Sequence, residues 1–544
     1  MKITNVDVIE LEMPFDRGVS KQGEVGFLNW GKLDFCLIKV ETDTGITGWG
    51  DAFSFQCRRA VAEAGLGRLV SDGRLTRGEF RPVEAGGVPV HREYCEPQVL
   101  RRIRRRSIAR LRHEVEPVPP EQYASFLPQW QHVTRVGERP GLHGPDGCFE
   151  VLDQLAGAAL PASTWTTAVL PARVDGVIDS DLDTLLASGD VVWWGVAPLP
   201  GGDGVVALAP ADRAPALLPE LDTDLSESAA LVVAALQEGG AQFFRDLADR
   251  CGVAATGSPL PDDGALVEAI WEAVWAGQVT NDGWVALRAR VNGTTGPITR
   301  RRGARSRRHA LPTRTGPAAG SGRWSALSPF RTGVEPTAAS TTRAEVLLER
   351  YGLVTRGAVA GERIEGGFAR MYRVLQAFED AGRCQRVYAV EGLGAAQFGT
   401  TSAIDRLRAA RPGRAPSVVV LAATDPAQPY GAALTWPGLP VEGLGHRPGR
   451  KAGALVVLVD GRLVLFCEKG GRTLLAWPDH PEGESTDLDH ALTALAASAP
   501  RLGLTRFVLT RVNGADIDAE WGERLRSAGF LPTPRGWRSP VQGG

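Results

Sequence analysis

One unit recurs along this chain: an apolar, helix-like run, a glycine, and then a strand-like run. Around Gly382 it reads LQAFEDAGRCQRVYAV, with apolar residues seven and four positions before the glycine and a third apolar residue two positions after it. The same spacing surrounds Gly73 and Gly189, and a looser copy with one apolar position shifted surrounds Gly277. A glycine directly after a helix allows the left-handed conformation in which the chain can turn. The unit therefore predicts four helices that each end at a glycine and lead into a strand.

Two further helix-like runs precede the glycine-capped helix in three of the four copies. In the last copy they are RAEVLLERYG and LVTRGAVAGER, and the third helix is GGFARMYRVLQAFEDAG. Three short helices followed by a two-stranded hairpin are typical of a winged helix, a variant of the helix-turn-helix unit. Because the copies are unevenly spaced, we expect tandem domains rather than a solenoid.

Both ends of the chain have strand patterns. Near the carboxyl end, ALVVLV and RLVLFCE flank the turn Asp460–Gly461, and RTLLAWP follows a second turn at Gly470–Gly471. This pattern predicts a meander. At the start, ITNVDVIELEM, LDFCLIKVETDTG and ITGWGDAF alternate as strands do. The predicted fold class is multidomain α+β, with a short antiparallel β segment, tandem winged helices and a final small α+β or β-barrel-like domain.

The basic residues change in type along the chain. Four of the six lysines lie in the first 39 residues, whereas the chain has 55 arginines. This shift predicts two segments of different origin. The first, through LIKVETDTGITGWGDAF, resembles the amino-terminal cap of the mandelate racemase/muconate lactonizing branch of the enolase superfamily over residues 1–56. The chemistry of that family needs a lysine or histidine base and metal-binding carboxylates elsewhere in its fold, so the resemblance implies a cap fragment without that activity.

Length and composition limit the class of protein. A chain of 544 residues is too long for one core. The longest apolar run, Ala229 to Leu236, is far shorter than the roughly 18 residues of a membrane span. The start MKITNVDVIELEMP has no apolar signal region, so we expect a cytoplasmic protein without a membrane partner. The seven cysteines show no metal-ligand spacing, which predicts buried thiols, no metal and no disulfides.

These patterns divide the chain into eight segments. In order they are an enolase-type cap fragment (1–56), a partial winged helix (57–96), a basic helical segment (97–145), two winged helices (146–220 and 221–289), a basic Arg/Gly/Pro-rich linker (290–340), a further winged helix (341–412) and a final α+β domain (413–544).

Basic residues predict a nucleic-acid partner. On the third helix of the last winged unit, Arg370, Arg373 and Gln376 follow one another at intervals of three, on the face opposite Leu375 and Phe378. Two arginine-rich stretches are expected to lie along a sugar–phosphate backbone. Their candidate nucleic-acid contacts are Arg101, Arg102, Arg104, Arg105, Arg106, Arg301, Arg302, Arg305, Arg307 and Arg308. The plainer interpretations are a solvated helix face and an interdomain helix paired with glutamates.

The middle two winged units differ in charge. Their third helices contain Asp181 and Asp183 in one unit and Glu268 and Glu272 in the other. Carboxylates at these positions would repel phosphates. We therefore expect the first and last units to contact nucleic acid and the middle two to act as scaffold.

The stretch LLERYGLVTRGAVAGERIEGGFARMYRVLQAFEDAGRCQRVYAVEGLGAAQF, residues 347–398, is similar to the carboxy-terminal region of bacterial large helicase-related (Lhr) proteins. EVEPVPPEQYASFLPQWQ, SGDVVWWGVAPLPGGDG, VVLAATDPAQPYGAALTWP and GHRPGRKAGALVVLVDGRLVLF fit the same region, so the resemblance covers residues 57–544. A phosphate loop is absent, because GHRPGRKAG has Arg450 where glycine is needed and Ala452 where a hydroxyl should hold magnesium. The resemblance thus implies a part of the family without its ATPase motor, binding neither ATP nor another cofactor.

The resemblance also implies a link to winged-helix DNA glycosylases and to uracil removal. Such enzymes extrude the base and position water with a Gln-x-Gln or Gln-x-Asp pair beside an oxocarbenium-like sugar. LPQWQ supplies Gln129 and Gln131 as candidate catalytic residues. The plainer interpretation is a polar loop around a packing tryptophan. Asp425, in TDPAQPYG, is a further candidate, although Asp-Pro is first a turn signal.

The sequence therefore predicts a DNA-binding region of an Lhr-type repair helicase, with glycosylase activity left open. The expected partner is DNA, as a single strand or a duplex with a single-stranded tail, and self-association is left open. The alternatives are a non-catalytic scaffold or oligomerisation module and, less favoured, a mandelate racemase-type enzyme.

Overall fold

The computed structural model describes most of the chain from Glu116 onward and several short stretches before it. The described residues are 3–14, 32–53, 81–82, 94–95, 116–219, 224–256, 258–293, 316–394, 396–411, 413, 415–468, 470–478, 486–498, 502 and 507–539. The chain splits into two compact units, Met1–Glu114 and Val115–Gly544. The glycine unit around Gly73 and the candidate arginines at 101–106 and 301–308 lie outside the described residues.

In the first unit, three strands form an antiparallel sheet in chain order. They are β1 (Ile3–Pro14), β2 (Lys32–Thr42) and β3 (Thr47–Phe53), followed by the paired two-residue strands β4 (Arg81–Pro82) and β5 (Tyr94–Cys95). The turn between β2 and β3 closes on Gly45, which has a φ of 75° and donates its N–H to the Thr42 carbonyl at 3.0 Å. The enolase-type resemblance of these residues stays a prediction.

The second unit begins with α1 (Pro120–Trp130). Proline in the first turn fits a helix start, because its missing N–H would have no helical partner there. Tyr123, Phe126 and Leu127 are buried in the same core as the last winged helix.

Residues 142–210 form winged-helix domain A. Its elements are β6 (Leu142–His143), α2 (Gly144–Gln154), β7 (Leu160–Pro161), α3 (Ala162–Thr164) continued by a π-helix (Trp165–Val169), β8 (Val174–Asp175), α4 (Asp179–Ser188), β9 (Val191–Pro198) and β10 (Gly204–Pro210), followed by α5 (Ala214–Leu217). Strand β10 lies between β7 and β9. The hairpin of β9 and β10 is the wing.

Residues 227–326 form winged-helix domain B. Its elements are α6 (Glu227–Gly239), β11 (Gln242–Phe243), α7 (Phe244–Arg250), α8 (Asp263–Trp275), β12 (Val279–Asn281), α9 (Val285–Val291), a 3-10 helix (Ala318–Gly320) and β13 (Arg323–Ala326). Strand β13 is the central strand, pairing with both β11 and β12. The interval 290–340, predicted as a linker, therefore contributes a strand to this sheet. The sequence did not predict this strand, because β13 is only four residues long and follows a stretch rich in arginine and proline.

Residues 336–399 form winged-helix domain C. Its elements are α11 (Pro336–Tyr351), β14 (Leu353–Val354), α12 (Arg356–Gly361), α13 (Gly367–Asp380), β15 (Gln385–Val387) and β16 (Gln397–Gly399), preceded by α10 (Ser328–Arg331) and followed by α14 (Thr401–Ala409). The central strand is β16.

The glycine of each described copy of the repeated unit adopts the conformation that the sequence predicts. Gly189, Gly277 and Gly382 have φ values of 82°, 67° and 77°, and each directly follows the third helix of its domain or lies within two residues of its end. Domains A, B and C thus each contain three helices followed by strands, in the order that the sequence predicts for a winged helix.

Residues 418–538 form domain D. Its elements are β17 (Val418–Ala422), β18 (Leu455–Val459), β19 (Arg462–Cys467), β20 (Thr473–Ala476), α15 (Thr486–Ser498), β21 (Val508–Leu509), β22 (Arg511–Val512), β23 (Ala515–Asp516), α16 (Ala519–Ser527), β24 (Leu531–Thr533) and β25 (Gly536–Arg538). Six strands pair in the order β17–β18–β19–β20–β22–β23, and β21, β25 and β24 form a smaller sheet. Asp460 and Gly461 both have positive φ in the turn between β18 and β19. No helix in the described part of the chain is both long and apolar enough to span a membrane.

Candidate nucleic-acid interface and interdomain cavity

The third helix of domain C, α13, has one apolar and one polar face. Leu375 and Phe378 are buried, whereas Arg373 and Gln376 are exposed on the opposite side. Neither exposed side chain makes a hydrogen bond or ion pair with another described residue. Arg370 is only partly exposed, since its guanidinium donates to the Ser340 hydroxyl at 3.2 Å and lies 3.6 Å from a carboxylate oxygen of Glu365. Of the predicted residues on this helix, Arg373 and Gln376 are therefore the two that a ligand can reach directly.

The two predicted aspartates of the third helix of domain A, α4, are held by contacts within the protein. The Asp181 carboxylate accepts the N–H of Ile178 at 2.9 Å and caps the helix. The Asp183 carboxylate accepts the N–H of Trp284 at 2.7 Å and pairs with Arg288, and both of these partners belong to domain B. These aspartates, predicted to repel phosphates, have structural partners.

The wing of domain A packs against domain B. The Trp193 indole N–H donates to the Asn281 carbonyl at 2.9 Å, and the Thr280 hydroxyl donates to the Trp193 carbonyl at 2.6 Å. A Cβ atom built at Gly204 would overlap the Trp275 ring. The strands of this wing are thus covered by a neighbouring domain.

The third helix of domain B, α8, is mostly buried. Its two predicted acidic residues are paired: Glu268 with Arg290 at 2.9 Å, and Glu272 with the backbone N–H and hydroxyl of Ser226 at 2.6 and 2.8 Å. The exposed residues of α8 are Gly264 and Glu268, and those of α4 are acidic or uncharged. Among the three described third helices, α13 of domain C is the one with an exposed arginine, Arg373.

The two candidate catalytic glutamines have different surroundings. Gln129 is exposed and lines a shallow depression with Arg135 and Ser417. Gln131 is fully buried, and its side-chain amide donates to the Arg350 carbonyl at 2.8 Å while its amide oxygen accepts from Arg173 at 3.2 Å. The tryptophan between them packs against Phe126 of the same helix, as the plainer interpretation expects.

A buried ion pair joins domain A to the segment before β18. Arg173 and Asp425 are fully buried, and their two parallel N–H···O bonds measure 2.8 and 2.9 Å. The other N–H groups of Arg173 donate to the carbonyls of Gln131 and Val169 and to the Gln131 amide oxygen, so all five of its donors are satisfied. Asp425 also accepts the N–H of Ala427 at 2.8 Å, which is the turn predicted from Asp-Pro.

A cavity of about 840 Å³ lies between domain A, domain C and the segment of residues 424–452. Its apolar side includes Leu160, Pro161, Trp194, Val196 and Leu217. Its polar side includes Arg343, Arg350, Tyr351, Glu362, Arg363 and Arg450. These residues come from three separate parts of the chain, so no spacing pattern in the sequence predicted the cavity.

The polar side has an unusual charge balance. Arg350 pairs with Glu362, whose carboxylate also accepts the Tyr351 hydroxyl at 2.5 Å. Burial raises the pKa of Tyr351 well above its ordinary value. Arg450 instead donates to backbone carbonyls, those of Thr424, Asp425, Gln428 and Tyr430. Burial lowers the pKa of Arg450, as expected where no carboxylate contacts a guanidinium.

Comparison with known proteins supports the predicted resemblance. Residues 118–211 and 333–419 each match a winged-helix domain of large helicase-related proteins. The chain is 43% identical over 504 residues to a protein of Mycolicibacterium smegmatis named "Lhr helicase/ probable uracil glycosylase", covering 88% of this chain and 32% of that protein. It is 37% identical over 473 residues to "Lhr helicase/uracil glycosylase" of Escherichia coli K12, covering 81% of this chain and 30% of that protein. The chain spans about a third of the length of these curated relatives, and the matches support a carboxy-terminal Lhr region with tandem winged-helix domains.

Proposed function

We propose that this chain is a DNA-binding region of an Lhr-type repair helicase and that domain C presents the surface that holds the DNA. The observation that supports this assignment is the exposed polar face of α13. In winged helices the third helix is the element that enters the major groove. The exposed residues of the third helices of domains A and B are acidic or uncharged, and Asp183 of domain A is bound by domain B, which favours a scaffold role for those two domains.

The exposed side chains of α13 suit a nucleic-acid ligand. Arg373 offers a guanidinium that can donate two parallel hydrogen bonds to a phosphate or a guanine edge. Gln376, one turn further along the same face, can donate to and accept from a base or a sugar. Contacts of this kind combine a salt-dependent attraction to the backbone with a small amount of base recognition.

We further propose that the chain removes uracil from the bound strand. The support is the name of both relatives, each described as a uracil glycosylase or a probable one. The reaction breaks the bond between base and sugar and adds water to the sugar, so a polar side chain must position that water. Gln129 is the member of the candidate pair that a strand can reach, and Gln131 supports it from the core.

The test of binding uses the full chain and a fluorescently labelled DNA duplex whose single-stranded tail carries one uracil, read by anisotropy at several salt concentrations. Replacing Arg373 and Gln376 together with alanine should weaken binding, and loss of one phosphate contact should reduce the slope of affinity against salt by about one. Arg526→Ala, which removes an exposed helical arginine of domain D, is the matched control and should leave both quantities unchanged. Equal affinities for all three proteins would reject α13 as the DNA surface.

The test of catalysis heats the same mixture in alkali, which cleaves a strand wherever a base is missing. Strand cleavage at the uracil, reduced by Gln129→Ala, is the expected result. Salt-sensitive binding without cleavage would leave a DNA-binding region and remove the glycosylase proposal.

A further inference from the structure

We infer that the interdomain cavity is the site that receives a single nucleotide rotated out of the bound strand, with its phosphate near the arginines and its base among the apolar residues. This inference rests on the proposed function through its DNA-binding part, and it concerns where the nucleotide is held, since Gln129 lines a separate depression and not this cavity. Four observations support it: the size of the cavity, the buried polar atoms at its wall, its charge, and its position next to α13.

The size of the cavity fits a small ligand. A volume of about 840 Å³ lies within the roughly 300–1,000 Å³ typical of pockets that bury most of a small molecule. Among the apolar residues of the lining, Val196 is exposed and Leu199 and Leu217 are partly exposed, so a flat base can pack against them. A nucleobase has an apolar face and a polar edge, and this cavity has one side of each kind.

Two buried polar atoms at the cavity have no partner within the described protein. They are Nε of Arg350, a side chain that is 2% exposed, and the Thr424 hydroxyl oxygen. Nearly all buried polar atoms in folded proteins are hydrogen-bonded, so an exception needs an explanation. Both residues line the same cavity. Because both atoms are themselves buried, a ligand can satisfy them only if its entry moves the side chains that cover them.

The polar side has a net positive charge. Arg350 and Arg450 contribute two guanidiniums and Glu362 a single carboxylate, while Asp425 is already paired with Arg173. Arg363 adds an exposed positive charge, and Glu365 faces Arg370. Four arginines, Arg343, Arg350, Arg363 and Arg450, therefore line the cavity against two glutamates, Glu362 and Glu365, each of which already lies beside an arginine. An anionic group such as a phosphate is the ligand that this balance favours.

The cavity lies directly beside the DNA-binding helix in the chain. Glu362, Arg363 and Glu365 belong to the connection between α12 and α13, which is the turn of the helix-turn-helix. Arg363 has a φ of 53°, a left-handed conformation that is uncommon for a residue other than glycine and is often found at functional sites. A strand held on α13 thus passes the residues that line the cavity.

The experiment titrates the full chain by calorimetry with deoxyuridine 5′-monophosphate, deoxyuridine or inorganic phosphate. The nucleotide should bind at least tenfold more tightly than deoxyuridine or inorganic phosphate, because both its base and its phosphate contact the cavity. Ala360→Trp, an exposed cavity-lining position on α12, should weaken nucleotide binding at least tenfold. Ala187→Trp, at an exposed alanine of α4 that does not line the cavity, should change the affinity for the nucleotide by less than twofold.

Charge is tested separately with Arg363→Asn, since asparagine tolerates the left-handed conformation. We expect three- to tenfold weaker binding of the nucleotide and unchanged binding of deoxyuridine. The inference is overturned if the nucleotide does not bind at millimolar concentration, if inorganic phosphate binds equally well, or if both tryptophan variants bind the nucleotide as the original protein does.

A strand with 2-aminopurine next to its uracil links the cavity to the proposed function. The fluorescence of this base analogue rises when its neighbour leaves the stack, so binding should raise it, and Ala360→Trp should abolish the rise while leaving the affinity for the strand within threefold. A rise that Ala360→Trp preserves would place the extruded base elsewhere and overturn the inference. If the strand does not bind at all, the proposed function fails, whereas the nucleotide titration still tests the cavity by itself.

Discussion

Replacing Asp425 with asparagine keeps the size of a fully buried side chain and removes its charge. In the native protein its two oxygens accept parallel N–H···O bonds of 2.8 and 2.9 Å from Arg173. In the variant an amide N–H would face one of those donors, and the guanidinium would remain buried without a counter-charge. Removing one partner of a buried ion pair typically destabilises a protein by about 3–5 kcal/mol, a large part of the roughly 5–15 kcal/mol by which folded proteins are stable.

The measurement is urea unfolding of the full chain followed by tryptophan fluorescence, with the shift in midpoint converted through the slope of the transition. Asp516→Asn, in an exposed pair with Arg511, is the matched control and should cause no measurable change. Arg173→Met combined with Asp425→Leu should recover only part of the loss, because it removes the unpaired charge but leaves the Gln131 amide oxygen and the Ala427 N–H without these partners. A loss below about 1 kcal/mol for Asp425→Asn, or a double variant as unstable as the single one, would refute the reasoning.

Three further outcomes follow from packing, burial and backbone conformation. Gly204→Ala should lower the free energy of unfolding by about 1–3 kcal/mol because its methyl group overlaps a tryptophan of domain B, whereas Gly141→Ala, with open space around it, should be neutral in the same urea titration. Gly382→Ala should destabilise by about 1–2 kcal/mol, because alanine is strained at a φ of 77°, and a thermal melt that matches the original protein would contradict this. Burial raises the pKa of the Cys148 and Cys384 thiols to about 12, so both stay protonated at pH 8 and should react with a thiol reagent only after urea unfolds the chain, with mass spectrometry locating the label.

The repeated glycine unit was sufficient to predict the winged helices. Its spacing reflects local physics: a helix that ends in a left-handed glycine, as Gly189 and Gly382 do, and two apolar positions that face the core. The polar face of α13 was predictable for the same reason, since helical periodicity alone separates Arg373 and Gln376 from Leu375.

Contacts between distant segments were not predictable in this way. Gln131 reads as a polar loop residue, yet the buried Arg173, 42 positions later, makes it part of the core. The cavity combines Arg350 and Glu362 of domain C, Arg450 of the segment after β17 and apolar residues of domain A, which meet only when these separate parts of the chain fold together. A pattern in one stretch of sequence contains no information about which side chains a second domain will bring to it.

Because domain B packs on the wing of domain A, a truncated protein that ends between the two domains should not be stable. Trp193, Trp271, Trp284 and Trp324 belong to one hydrophobic core shared by both domains. A fragment that stopped at residue 211, the end of the first winged-helix match, would expose the face of Trp193 to water and leave an apolar patch prone to aggregation. Deletion mapping should therefore find that domains A and B are each unstable without the other, although each contains its own copy of the repeated glycine unit.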